Sequence, residues 1–382
     1  DSSYYRINDG LGNTTDNKIY NNLKYYSSTL YSSIYHKGYN KFYYDVMNNN
    51  VISRNRVITS SNNNILFNIF HGQKYLINKN CKELQGYNYI DKINNICLYQ
   101  NENVLPIGYA SSKIMGEEEF LKIPYPYNVE YLLNNIVIKR DTKTDLGAKI
   151  KKIDYNLKKL EKENLETSKD NDIYTVTAYQ KARMTYKLDS ENKNKILFIR
   201  FKMANNPTCS EGDIYITING NKNKLTCKEW KYHNQNYVFD YVIADKNLEK
   251  LTISFKEGTY KIKDIEVYSL DYSYIENLRN DVSEFNISKM IDDEIKGNIN
   301  VLEDGYFTIS IPYDIGFKAF VDGKEVKIEK VNNTFMGFKI EKGEHEIRFV
   351  YTSPLKNIGS IVSLFGISLF ILTLVLEARK KY

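Results

Sequence analysis

The sequence predicts an α+β, mainly β chain that ends in one membrane-spanning helix. Three observations carry that expectation. Residues 358–376 (IGSIVSLFGISLFILTLVL) hold no charge, and about 19 helical residues at a 1.5 Å rise match a hydrocarbon core of roughly 30 Å. Between residues 146 and 272, short apolar runs alternate with turn residues in the manner of a β-sandwich. In residues 306–311, Phe307, Ile309 and Ile311 alternate with Thr308 and Ser310, the period-two pattern of a strand.

Residues 1–145 read as a mixed α/β domain. Residues 65–70 are apolar and predict a short helix stopping at His71-Gly72. Strands are expected at 74–78, 96–100 and 104–109. Residues 128–136 predict a helix with Asn128 as N-cap and Glu130 in its first turn, where a carboxylate meets the positive end of the helix dipole. Residues 146–272 read as a central β-sandwich of jelly-roll or carbohydrate-binding-module kind. Its strands are expected at 153–157, 174–176, 184–188, 196–203, 213–218, 236–243, 251–255 and 265–268. Asn219-Gly220 is a two-residue hairpin turn, because a type I′ turn needs positive φ at both positions.

Residues 273–353 begin with an expected helix over 274–295, from Ile275, Leu278, Val282 and Phe285 at spacings of three and four. A small antiparallel β domain follows, turning at Asp322-Gly323. Residues 354–382 are the membrane helix and a tail. Arg379, Lys380 and Lys381 place that tail in the cytoplasm and the bulk of the chain outside it. Crossing the membrane requires an export signal or an upstream membrane segment, so this chain is expected to be the C-terminal part of a longer membrane protein.

Composition narrows the function classes. The 382 residues carry 53 Lys+Arg against 47 Asp+Glu, a net charge of +6. That excess is small and dispersed, which argues against a nucleic-acid groove. Hydrophobic residues at 42% exclude a disordered polymer. Tyr, at 34 residues, and Asn, as in Asn48-Asn49-Asn50, are abundant. AT-rich codon usage explains this, and so does a polar aromatic surface suited to sugars. Cys81 with Cys97, and Cys209 with Cys227, fit two disulfides worth about 3 kcal/mol each. Four free thiols fit equally well. The four histidines have no metal-ligand spacing, so no metal site is expected. Glu117-Glu118-Glu119 reads as a solvated turn, and no GxSxG, Walker or GxGxxG motif is present.

The Ser- and Tyr-rich stretch supplies the glycan- or acceptor-binding candidates: Tyr25, Tyr26, Ser27, Ser28, Tyr35, His36 and Asn40. Exposed rings stack on sugar faces, and hydroxyls and amides bond sugar edges. Residues 25–40 are expected near the membrane end of the molecule, close to Pro354.

Residues 303–330 (EDGYFTISIPYDIGFKAFVDGKEVKIEK) resemble the SIPYD…VDGK element of the YfhO-like family of bacterial multi-spanning membrane proteins. Residues 333–342 (NTFMGFKIEK) and 343–351 (GEHEIRFVY) resemble the strands that follow it. Residues 101–109 (NENVLPIGY), 72–79 (GQKYLINK) and the Ser/Tyr-rich residues 22–40 resemble upstream elements in the same order. Phe317 departs from the family, which often has Trp there, and the multi-spanning N-terminal part is not in this chain. The family is similar to polyprenyl-phosphate-sugar-dependent glycosyltransferases of the membrane-embedded GT-C type, linked to glycosylation of teichoic acid or other cell-envelope polymers. The resemblance implies a polyprenyl-phosphate-linked sugar as donor, an envelope glycopolymer as acceptor and the lipid bilayer as partner. It implies no cofactor within this segment. In that type the catalytic acid lies in an early extracytoplasmic loop, so no catalytic residue is carried over. A reading from another class is a non-catalytic, membrane-anchored glycan-binding or adhesive surface protein.

Overall fold

In the computed structural model, the described residues are 4–10, 26–28, 35–58, 64–79, 81–140, 147–291 and 293–380. Asn64 starts the first long-range element by accepting the N–H groups of Leu66 and Phe67 at 3.1 and 3.3 Å. The helix Ile65–Phe70 that follows is wholly buried. It stops at His71 because Gly72 takes a left-handed φ of 62°. The chain then enters a mixed sheet in the order Arg6–Asp9, Gln73–Lys79, Ile96–Gln100, Asn88–Ile93. The helix expected at 128–136 spans Tyr127–Asn134, with Pro126 in place of Asn128 at its cap. Asn128 instead donates to the Val46 carbonyl at 3.1 Å. The Glu130 carboxylate fastens the chain by accepting the Lys149 and Ile150 N–H groups at 2.8 to 3.0 Å.

The central sheet takes all its strands from residues 151–271. Its main path runs Asn221–Leu225, Ile214–Ile218, Lys250–Phe255, Ile173–Lys187, Gly258–Asp271, Lys195–Met203, Val238–Ile243. The two strands expected at 174–176 and 184–188 are one, Ile173–Lys187. Residues 153–157 lie outside the sheet and lead into a 3₁₀ turn, Leu157–Lys159. Asn219 and Gly220 take φ of 46° and 85°, as the hairpin between Ile214–Ile218 and Asn221–Leu225 requires. The sheet curls until its ends meet: Asn223 Nδ2 donates to the Asp240 carbonyl at 2.8 Å, and the Tyr241 hydroxyl to the Ile216 carbonyl at 2.8 Å. Val176, Leu197, Ile216, Phe239 and Ile243 fill the space enclosed.

The third sheet runs Lys324–Val326, Phe317–Val321, Gly343–Tyr351, Glu294–Val301, Ser283–Ile291, Gly108–Ser111, Gly305–Pro312, Phe335–Ile340, Glu329–Val331. Gly108–Ser111, from the N-terminal part, is a central strand here. Residues 104–107 are not part of it, although Val104 and Leu105 are buried. The helix expected over 274–295 is corrected. Two 3₁₀ turns, Tyr272–Tyr274 and Leu278–Asp281, precede the strand Ser283–Ile291. Ile275 and Leu278 pack into the N-terminal core, whereas Phe285 packs into the third sheet's core. The three-and-four spacing therefore spans a turn-to-strand junction that serves two cores. Cys81 is bonded to Cys97 and Cys209 to Cys227, which settles the cysteine question as two disulfides.

The chain ends in the helix Lys356–Lys380. Within it, Lys356–Arg379 is 24 residues long, with none of its apolar window buried in the protein. That length is roughly 36 Å, enough to cross a bilayer with some tilt.

Two buried polar groups tie the sheets together. The Arg6 guanidinium donates to the His71 carbonyl at 2.8 Å, the Ser310 hydroxyl at 2.7 Å and the Ser310 carbonyl at 2.8 Å. Burial lowers its pKa to about 10. His71 sits among Tyr39, Phe42, Phe67, Phe70 and Phe335, with ring centroids 4.5 to 5.8 Å away. Its ring nitrogens find no hydrogen-bond partner among the described residues. Burial, and then the nearby Arg6 charge, hold its pKa well below the ordinary value.

Arg6→Ala leaves buried carbonyls at His71 and Ser310 without their donor. It should destabilise the chain by roughly 3 kcal/mol, read as a lowered thermal midpoint. His71 predicts an acid sensitivity. The unfolded chain protonates it near 6.5 but the folded chain does not, so its contribution is complete above about pH 6.5 and lost as pH falls. The wild-type midpoint should drop between about pH 7 and about pH 5. His71→Phe should flatten that slope, and an unchanged slope would show that other groups set it.

Candidate functional site

Where the third sheet hands over to the membrane helix, strand ends and one loop enclose a cleft of about 470 Å³. Its aromatic lining is Tyr26, Phe317 and Tyr351, and its acidic lining is Asp293, Glu294 and Asp314. The Phe317 and Tyr351 rings pair across neighbouring strands at 4.8 Å. Asp314 turns the loop by accepting the Gly316 N–H at 2.7 Å. The Gly316 carbonyl in turn accepts the Thr352 N–H at 2.9 Å. A side chain at 316 would meet the Thr352 oxygen at 2.5 Å and the Tyr351 ring at 2.6 Å, so this close approach requires glycine. Tyr351 N–H donates to the Asp293 carbonyl at 2.8 Å, joining the far wall. Tyr26 is held by its carbonyl, which accepts Ile7 N–H at 2.9 Å, and by its hydroxyl, which donates to the Met290 carbonyl at 3.0 Å. Burial, then the Tyr4 phenol, raise its pKa. Lys289 holds the Glu294 carboxyl below its usual range.

Ile315 at the loop tip and Leu355 at the helix entry are 77% and 73% exposed. The cleft thus sits beside the apolar helix, with two large aliphatic side chains standing out next to it. No described lining residue is cationic. Rings that stack and carboxylates that accept hydrogen bonds from hydroxyls suit a neutral polyol better than a phosphate.

The structure separates the sequence candidates. Tyr25 lies outside the described residues. Tyr26 lines the cleft, with Ser27 partly buried beside it. Ser28 is buried: its hydroxyl accepts from Gln73 Nε2 at 3.0 Å and its carbonyl from the Tyr39 hydroxyl at 2.6 Å. His36 caps the helix Lys37–Lys41, its Nδ1 accepting Tyr39 N–H at 3.1 Å. Its Nε2–H donates to the Tyr313 carbonyl, 3.0 Å away and one residue before Asp314. Tyr35 is exposed. Asn40 turns elsewhere and donates to the Arg56 carbonyl at 2.5 Å. Tyr26 therefore lines the cleft, His36 supports the strand end leading to Asp314, and Asn40 does neither. Reading the sequence for sites missed Phe317, Tyr351, Asp293, Glu294 and Asp314. Asp314 and Phe317 lay inside the SIPYD-containing run, whereas Asp293 and Glu294 fell in a segment expected to be helical.

The family model described as "Bacterial membrane protein YfhO" matches residues 1–363. The protein YfhO of Bacillus subtilis (strain 168) is 23% identical over 367 residues, covering 89% of this chain and 40% of that protein. The chain thus spans well under half the length of this curated relative. Among solved structures, a family 29 carbohydrate-binding module is similar to 32% of this chain over 92% of its own, at 12% identity and a TM-score of 0.21. The CBM36-1 domain of a multidomain xylanase from the hindgut metagenome of Trinervitermes trinervoides covers 31% of this chain and 94% of its own, at 12% identity and a TM-score of 0.19. Likeness at that level says nothing of what this chain binds.

Proposed function

Because this chain belongs to the YfhO family of bacterial membrane proteins, we propose that it is the extracytoplasmic part of a membrane glycosyltransferase. In this reading it holds an acceptor polymer, a teichoic acid or another envelope glycopolymer, at the membrane surface. The observation that carries the reading is the position of the aromatic and acidic cleft, five residues before the helix that begins at Lys356. A lipid-linked donor sugar is confined to that surface, so an acceptor must be presented there. The basic residues that follow the apolar run, Arg379, Lys380 and Lys381, support a cytoplasmic end and hence an outer location for the cleft.

The reaction would be a displacement. An acceptor hydroxyl oxygen bonds to the sugar's anomeric carbon as the bond from that carbon to the polyprenyl phosphate oxygen breaks. The phosphate leaves with the electron pair, and the hydroxyl proton passes to a carboxylate base. No residue of this chain is assigned as that base, and none as the donor's phosphate site. The part taken here is positioning. Phe317, Tyr351 and Tyr26 stack on the acceptor, and Asp293 and Asp314 accept hydrogen bonds from its hydroxyls. Holding one hydroxyl in line with the anomeric carbon lowers the entropic part of the barrier to transfer.

The test uses the full-length protein in its own membrane. Phe317→Ala and Tyr351→Ala should each reduce the sugar content of isolated envelope polymer about tenfold, the loss of one well-packed stacking contact, at unchanged protein level. Polymer sugars that stay at wild-type level in both variants would reject a role in transfer. Deleting the gene without changing them, while binding of cells to glycan is lost, would favour the adhesive reading.

A further inference from the structure

A second cleft, of about 400 Å³, lies where residues 44–56 cross the closed end of the central sheet. This strap is docked by its backbone and by asparagines. Lys224 N–H donates to the Val51 carbonyl at 2.8 Å and Val51 N–H to Asn223 Oδ1 at 3.0 Å. Asn50 Nδ2 donates to the Asp240 carbonyl at 3.1 Å, and Asn234 Nδ2 to the Ser53 carbonyl at 3.1 Å. Those amides are occupied in holding the strap.

Their neighbours are not. Asn48 Oδ1, Asn49 Nδ2 and Arg56 Nε are buried, line this one cleft and have no hydrogen-bond partner among the described residues, while Asp240 Oδ1, buried in the same cleft, has only Arg200 Nη1 at 3.5 Å. Asn49 is 4% exposed and Asp240 6%. The other ends of these side chains are fixed. Asn48 Nδ2 donates to Asp240 Oδ2 at 2.9 Å, Asn49 Oδ1 accepts from Asn64 Nδ2 at 2.9 Å, and Arg56 Nη2 pairs with Asp45 at 2.6 Å. These bonds orient the four atoms toward the cleft.

We propose that this cleft binds an uncharged saccharide. Two of the four atoms accept hydrogen bonds and two donate, and a sugar hydroxyl supplies both functions from one oxygen. The charges lining the cleft, Asp45 and Asp240 against Arg56 and Arg200, balance, so neither an anion nor a cation is favoured. Tyr44 and Tyr237 add rings for a sugar face. The volume falls within the roughly 300–1,000 Å³ of small-ligand pockets. Burial also raises the Asp240 carboxyl to about 6, against the Arg200 charge that opposes it, in keeping with a site built for neutral groups. Asn40 enters here, because its bond to the Arg56 carbonyl sets that residue's position. The proposal does not rest on the transfer reading, since the two clefts share no lining residue.

The experiment is calorimetric titration of the full 382-residue chain in lipid nanodiscs. The probes are the methyl glycosides of glucose and galactose, N-acetylglucosamine, and inorganic phosphate and uridine monophosphate as charged comparisons. At least one saccharide should bind. Asn48→Ala and Asp240→Asn should each weaken it about tenfold or more, while Tyr179→Ala, exposed and in neither cleft, leaves it unchanged. Thermal midpoints check folding. If Asp240→Asn lowers the midpoint, Tyr237→Ala, at the half-buried rim, replaces it with the same expected loss. The proposal is overturned if no saccharide binds folded protein, if binding ignores the cleft substitutions, or if only phosphate or the nucleotide binds.

Discussion

A buried guanidinium must be surrounded by acceptors, and the arrangement around Arg6 follows from that need. Its acceptors come from His71, where the first helix ends, and from Ser310, on a strand 304 positions further along the chain. Ser310 is itself anchored, its N–H and hydroxyl donating to the Ile107 carbonyl at 2.8 and 3.0 Å. One point thus joins the N-terminal strand, the turn after Ile65–Phe70, the segment entering Gly108–Ser111 and the SIPYD strand. The neutral, aromatic setting of His71 belongs to the same constraint, because a second cation beside Arg6 would have no counter-charge there.

From Ser310 the chain runs through Pro312 and Tyr313 to Asp314. Anchoring that strand end therefore fixes the loop that forms one wall of the membrane-proximal cleft. The opposite wall is fixed by pairing of Phe317–Val321 with Gly343–Tyr351, the strand that leads into the membrane helix. Both walls of the cleft are thus held by hydrogen bonds. The second cleft depends on a different device, a strap pinned to a closed sheet by asparagine side chains. Its chemistry differs in kind. The first offers rings and carboxylates beside an apolar helix. The second offers buried donors and acceptors in equal number, far from any lining residue of the first in sequence.

Local rules were legible where a few neighbouring residues decide the conformation. Asn219-Gly220 and Asp322-Gly323 turn as expected, with positive φ at all four positions. The helix Ile65–Phe70 and the apolar run before the C-terminus were equally plain. Interactions over long separations were not. Nothing in the residues around Arg6 marks it as buried; its acceptors are His71 and Ser310, 65 and 304 positions away. Residues 274–295 show apolar spacing that fits a helix, because Ile275 and Leu278 face one core and Phe285 another. Asn48-Asn49-Asn50 was indistinguishable from codon usage until Asp240 was brought alongside. Of the seven candidate residues, Tyr26 lines the cleft and His36 supports the strand end leading to Asp314 because Met290 and Tyr313 are there to receive them. Nothing near Asn40 in the sequence announced its partner, Arg56.

The account turns on the first cleft facing the bilayer. Trp230 is the chain's one tryptophan, so Trp230→Phe with Ile315→Trp gives a single reporter at the cleft's exposed tip. Its quenching by brominated phospholipids in nanodiscs measures contact with the membrane directly. Quenching that deepens with bromines placed near the headgroup end of the acyl chain is the predicted result. Emission unaffected by bromines at any depth would place the cleft away from the bilayer and contradict the account.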